Sequence, residues 1–181
     1  NYLACFHLTQ QADGVHANVC PHRDTGGTGE WRLVPWDMNL SMGQVWATDH
    51  IAGNEDDRES HPFYGASGWR DSTIPWSYNR LFDSLVVVPE LREMYLRRLR
   101  TLMDALLQPP GTLPSELKLD ARIRDMWSRI EPEAFADRKK WGWAIGYGGY
   151  AMTNVPFNQA VDELLNQYVR QRRTHLYGTH N

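Results

Sequence analysis

Two cysteines in 181 residues, Cys5 and Cys20, are too few for a disulfide framework or a cysteine-built zinc site. One bridge between them is one reading; two buried free thiols is the plainer one. Lysine is scarce as well: three (Lys118, Lys139, Lys140) stand against sixteen arginines. Arginine suits fixed, fork-shaped ion pairs, and a compositional drift toward arginine accounts for the same count. Excess positive charge is missing: the net charge is −3 and the pI near 6.2, which excludes nucleic acid as a generic partner. No apolar run reaches the length of a transmembrane helix. No secretory leader is visible either, but the chain opens at Asn1 without a Met, inside a running apolar helix (Tyr2, Leu3, Phe6). A piece of a longer protein is therefore expected, and the missing leader says nothing about compartment. The seven histidines are scattered, with no H-E-x-x-H pattern, and there is no internal repeat or low-complexity tract.

What is present suits one ordinary domain with a real core: 41% hydrophobic and 23% charged residues. Residues 1–11 read as the end of a buried helix running into a loop. Residues 49–75 are rich in Gly, Asp, Ser and His and too long for a simple connection, so a binding loop, lid or solvated tip is expected, the last explaining Glu55-Asp56-Asp57. Beyond Trp76 the pattern turns helical. Residues 79–87 form a short element, and Pro89 opens a helix whose apolar stripe is Leu91, Tyr95, Leu99, Leu102 and Leu106, halted by Pro109-Pro110-Gly111. Ser115 is a reasonable cap for a third helix to Ile130, with Leu119, Ile123, Met126, Trp127 and Ile130 inward. A further short helix fits residues 134–141, and a Gly- and aromatic-rich loop or hairpin follows at 141–154, where Tyr147 and Tyr150 either line a groove or simply pack. A last amphipathic helix spans Phe157 to Arg173, with Val161, Leu164, Leu165 and Tyr168 inward. Its basic end, Arg170-Gln171-Arg172-Arg173, complements the helix dipole. The expected fold class is α+β, mostly α, with a small β element packed on a helical body.

That β element organises the chain. Asp13 is followed five positions later by Asn18, then by a hairpin: His22-Arg23 close one arm, Asp24-Thr25-Gly26-Gly27-Thr28-Gly29 turn, and Trp31-Arg32-Leu33-Val34 return. Pro35 halts strand pairing just before Trp36-Asp37. A hairpin brings its ends together, so Asn18 and Asp37 become neighbours. Phosphoryl transfer from a nucleotide needs positioned cations over the phosphates and a base near the acceptor hydroxyl. An Asp, an Asn five positions on and a metal-binding Asp after a hairpin is the protein-kinase arrangement. Asp13 is then the base, while Asn18 and Asp37 are hard oxygen ligands for Mg²⁺ or Mn²⁺. Spacing alone leaves a blander reading open, in which Asp13 and Asn18 are turn residues and Asp37 a cap. A metal-dependent hydrolase using Asp13 and Asp37 as an acid/base pair also stays open. His16, between Asp13 and Asn18, reads either as a phosphate contact or as a solvated loop residue.

The run Trp31-Arg32-Leu33-Val34-Pro35-Trp36-Asp37-Met38-Asn39-Leu40-Ser41-Met42-Gly43 closely resembles the signature of the CotH kinase family, spore-coat protein H and its relatives. Asp13…Asn18 resembles that family's catalytic loop, and the Leu91–Arg100 helix its helical region. The resemblance implies the C-terminal-lobe-like part of an atypical protein-kinase-like fold, transferring phosphate from ATP to protein Ser residues with Mg²⁺ or Mn²⁺. By position, Asp13 resembles the catalytic Asp, and Asn18 and Asp37 the ligands of cation and nucleotide; Trp36 packs. On this reading residues 1–181 are the carboxy-terminal portion of a single domain, and the amino-terminal lobe with its ATP-gripping Lys lies before Asn1. A protein with Ser acceptors is the implied partner, and a spore coat, secreted or cell-surface location the implied setting.

Three departures accompany the resemblance. None of the three lysines sits where ATP phosphates need one. Asn39 stands where many relatives carry a second Asp. Val19-Cys20-Pro21 replaces a commonly aromatic strand, and Pro21 removes a backbone donor there. A catalytically dead coat or surface scaffold of the same fold is the main rival to an active kinase.

Overall fold

The computed structural model describes residues 1–11, 18–38, 41–42, 80–142 and 156–179. In chain order the elements are helix α1 (Tyr2–Thr9), strands β1 (Val19–Arg23) and β2 (Trp31–Pro35), then α2 (Arg80–Val87) and α3 (Pro89–Leu102), which runs on as a π-helical stretch (Met103–Leu107). A 3-10 turn (Pro114–Glu116) leads into α4 (Lys118–Trp141). The closing helical segment changes type twice: α5 (Phe157–Glu163), a π stretch (Leu164–Val169) and α6 (Arg170–Thr179). The described residues are thus mostly helical, with one two-stranded antiparallel sheet.

Three elements share the core. Leu3, Ala4 and Leu8 of α1 meet Tyr95, Leu99, Leu102, Met103 and Leu107 of the α3 segment, and Val161, Leu165, Tyr168, Val169, Leu176 and Tyr177 of the closing helix. Each fully buried Leu or Val contributes roughly 1.5–3 kcal/mol by leaving water. The hairpin reaches this core through half-buried Val19 and Leu33, α4 through Leu119, Ile123 and Trp127. Apolar periodicity locates α3 correctly: Pro89 occupies its first turn, and Tyr95, Leu99 and Leu102 are buried on one stripe. The stripe then slips. Leu106, expected inward, is 40% exposed, whereas Leu107 is 1% exposed. The π turn inserts one extra residue and advances the buried face by one position.

Other expectations need correction. Cys5 and Cys20 are free but exposed, not buried. Ser115 lies in the 3-10 turn and does not cap α4; the first helical amide, at Lys118, donates instead to Gln108 Oε1 at 2.6 Å. Helix α4 does not stop at Ile130 but runs to Trp141 with Pro132 inside it, absorbing the expected short helix. Met126 and Ile130, expected inward, are half-exposed. The closing helix continues past Arg173 to Thr179, so its arginines lie within the helix and not at its end. The long segment 49–75 and most of the Gly- and aromatic-rich stretch, with Tyr147 and Tyr150, lie outside the described residues.

Candidate functional site

The hairpin forms where Gly and Asp permit it. Asp24 accepts from the amides of Gly29 (2.8 Å, main chain) and Thr28 (3.1 Å, Oδ2), and Gly29 turns through a φ of 72° that favours glycine. Pairing runs in register from Arg23↔Trp31 to Val19↔Pro35. Asn18 therefore precedes the last pair on one arm and Asp37 follows it by two residues on the other. Adjacent strands lie about 4.8 Å apart, so both residues leave the sheet at the same open end. Asp13 lies outside the described residues, as do His16 and Asn39.

Both residues carry unusual backbone. Asn18 has φ 54° and Asp37 φ 51°, in the left-handed region that costs a side-chain-bearing residue energy. Asn and Asp tolerate it better than most. Two more such residues, Gln10 (φ 48°) and Met42 (φ 56°), lie in the same neighbourhood. They are tied together at the end of α1. Its left-handed closing residue Gln10 and the next residue, Gln11, both donate backbone N–H groups to the Phe6 carbonyl. The carbonyls that remain are each taken up from elsewhere. The His7 carbonyl accepts from Arg172 Nη2 at 2.5 Å, the Leu8 carbonyl from the Tyr168 hydroxyl at 2.9 Å, and the Thr9 carbonyl from the Met42 amide at 2.6 Å. A helix leaves its last four carbonyls without intrahelical partners; here all four are satisfied. Gln11, 4% exposed, then donates through Nε2 to the Asp37 main-chain carbonyl at 3.1 Å.

The support beneath is buried and polar. Arg172 is 1% exposed, and burial lowers its pKa, opposed by Tyr168 and Tyr95. His7 Nδ1 and the Tyr95 hydroxyl sit 2.5 Å apart. Burial drives the phenols of Tyr95 and Tyr168 well above the ordinary tyrosine range, against the pull of Arg172. A cation at the C-terminal end of α1 complements its dipole. Sequence reasoning gave Arg172 to the dipole of its own helix; the structure gives it to another. Tyr168 was expected inward, and is, but as a donor too. The sequence marks His7, one of the scattered histidines, and Gln11 only by polarity at the buried end of an apolar helix.

Among the described residues no group of three or more His, Cys, Asp or Glu side chains could hold a metal ion. Magnesium sites in nucleotide enzymes commonly use one or two protein oxygens and complete the shell with phosphate and water. One amide and one exposed carboxylate at an open hairpin end fit that donor set. The three lysines all lie on α4 and are exposed.

The family model described as CotH kinase protein matches residues 1–176, and the chain belongs to that family. No curated protein and no solved structure matches the chain. No helix among the described residues is long and apolar enough to cross a membrane.

Proposed function

We propose that this chain carries the catalytic-loop and cation-binding part of an ATP-dependent protein Ser kinase. What supports the reading is the hairpin register, which brings Asn18 and Asp37 to one end of the sheet in a chain of the CotH kinase family. Asp13, five residues before Asn18 in sequence, orients the acceptor hydroxyl and takes its proton. The seryl oxygen then bonds to the γ-phosphorus as the bond to the β-phosphate oxygen breaks, leaving ADP and phosphoserine. Asn18 and Asp37 would hold Mg²⁺ or Mn²⁺ through side-chain oxygens, and the cation would supply neutralisation of charge on the phosphate oxygens. An amino-terminal lobe of the same domain supplies the lysine for the phosphates. A protein with Ser acceptors is the expected partner.

The test is transfer of labelled phosphate from ATP by full-length protein with Mn²⁺ and a Ser-containing acceptor. Asp37→Ala and Asp13→Asn should each lower transfer by on the order of a hundredfold or more. Labelling by Asp37→Ala equal to wild type removes Asp37 from the mechanism. A folded wild-type protein that labels nothing points instead to a scaffold of the same fold.

A further inference from the structure

We infer that Gln11 is a positioning residue that fixes Asp37, and with it the cation, against the end of helix α1. The inference rests on the kinase reading above. Asp37 holds a left-handed backbone at φ 51°, which Asp tolerates at some cost and which a contact on its main chain helps to hold. The contact on its carbonyl is the Gln11 side-chain amide at 3.1 Å. Gln11 is well placed to impose geometry because it is itself held. Its main chain donates to the Phe6 carbonyl at 3.2 Å, its side chain is 4% exposed, and the three carbonyls after Phe6 are pinned by Arg172, Tyr168 and the Met42 amide. A second tie runs the same way: the Met42 amide fastens the segment after Asp37 to the Thr9 carbonyl at 2.6 Å. Gln11 also lies two positions before Asp13 in sequence. The amide side chain standing on the end of α1, together with the Met42 tie, sets where Asp37 leaves the hairpin. Its carboxamide meets the main chain of Asp37 and leaves the carboxylate available to the cation.

Groups that orient a ligand without touching the ion commonly change affinity about 10–100-fold when altered. Gln11→Met keeps most of the volume and removes the donor. In full-length protein, Mn²⁺ affinity measured by electron paramagnetic resonance, with ATP analogue and no turnover, should fall about tenfold. The Mn²⁺ concentration for half-maximal activity should rise in parallel, with KM for the acceptor protein unchanged. Arg173→Met, which removes the bond to the Leu107 carbonyl and the ion pair with Asp120 but none at the end of α1, is the control: it should lower Tm and leave Mn²⁺ affinity within about twofold. Wild-type Mn²⁺ affinity in folded Gln11→Met overturns the inference, and so does a loss of affinity that tracks Tm equally in both variants. Should Gln11→Met give no cooperative melt, Gln11→Asn keeps the amide one methylene too short to reach; wild-type affinity there also overturns it. Wild-type protein that binds no Mn²⁺, or Asp37→Ala that binds it normally, instead defeats the kinase reading, and the inference falls with it.

Discussion

Arg172 and Arg173 are neighbours in one helix and serve two different helix ends. Both are buried, and both donate to a carbonyl at the end of another helical segment: Arg172 to His7 at the end of α1, Arg173 Nε to Leu107 at the end of the π stretch, 2.7 Å away. There the likeness ends. Arg173 also meets the Asp120 carboxylate at 2.5 Å, a pair only 7% and 20% exposed. Around it Gln108 clamps the start of α4 through the Lys118 amide and the Glu116 carbonyl, and Asp104 joins Arg100 to the Tyr177 hydroxyl. That end joins helix to helix. At the other end, Arg172 stands among phenols and a main-chain carbonyl, and what it secures is the helix terminus from which Gln11 departs. A neutralised ion pair serves rigidity at one end; at the other, hydrogen bonds hold a backbone on which a charged site can be mounted.

The comparison breaks if the two arginines prove equivalent. Arg173→Met leaves Asp120 without its closest cation and the Leu107 carbonyl without a donor. It should cost about 3 kcal/mol, the low end for breaking a buried pair because Asp120 keeps some contact with water. Chemical denaturation measures it, and Mn²⁺ affinity of the folded variant should be unchanged. Arg172→Met removes one charge-assisted bond to the His7 carbonyl, roughly 1.5–3 kcal/mol. Here Mn²⁺ affinity should weaken as well, by less than in Gln11→Met, because the disturbance reaches Asp37 only through α1. Reversed outcomes, with affinity lost in Arg173→Met and kept in Arg172→Met, would place the site's support at the wrong end.

How much of this was legible beforehand depends on whether the determinant is local. The hairpin was, because Asp24 and the glycines carry their own turn geometry, and the paired arms fall within a residue of where the sequence puts them. Positions of α1, α2 and α3 follow from apolar period and from Pro89. Leu106 and Leu107 were not separable, since a π turn leaves the same composition and shifts only the phase. The α4 cap was invisible for a different reason: Gln108 reaches across ten residues, where capping patterns look only at adjacent side chains. The pattern divides this stretch between a helix to Ile130 and a short one at 134–141, yet a helix carried by half-buried Leu119, Ile123 and Trp127 runs through, Pro132 included. In the candidate site, Asn18 and Asp37 announce themselves by residue type and spacing. Gln11, His7 and Arg172 act through a helix terminus that exists only after α1, α3 and the closing helix have packed.

The smallest expected effect separates the two ends by pH. Tyr95 and Tyr168 at the site end have folded-state pKa values raised far above the ordinary 10.0, burial being the main cause. Tyr177 at the other end is pushed up to about 12, by burial first and then by its bond to Asp104. In each case the folded state keeps a proton that the unfolded chain releases near pH 10. Between the unfolded and folded values the unfolded state binds fewer protons, so unfolding free energy falls as pH rises. The stability these phenols confer is complete below about pH 10 and is lost as pH climbs through the folded values, by at most about 1.4 kcal/mol per pH unit for each. The phenolate absorbance of Tyr95 and Tyr168 should therefore appear only together with loss of helical circular dichroism. Tyr95→Phe and Tyr168→Phe should each flatten the alkaline decline more than Tyr177→Phe, whose hydroxyl begins to ionise within the range where the helices still stand. A single phenolate step near pH 10 with the helices intact would mean that the buried hydroxyls beneath α1 are not held as described.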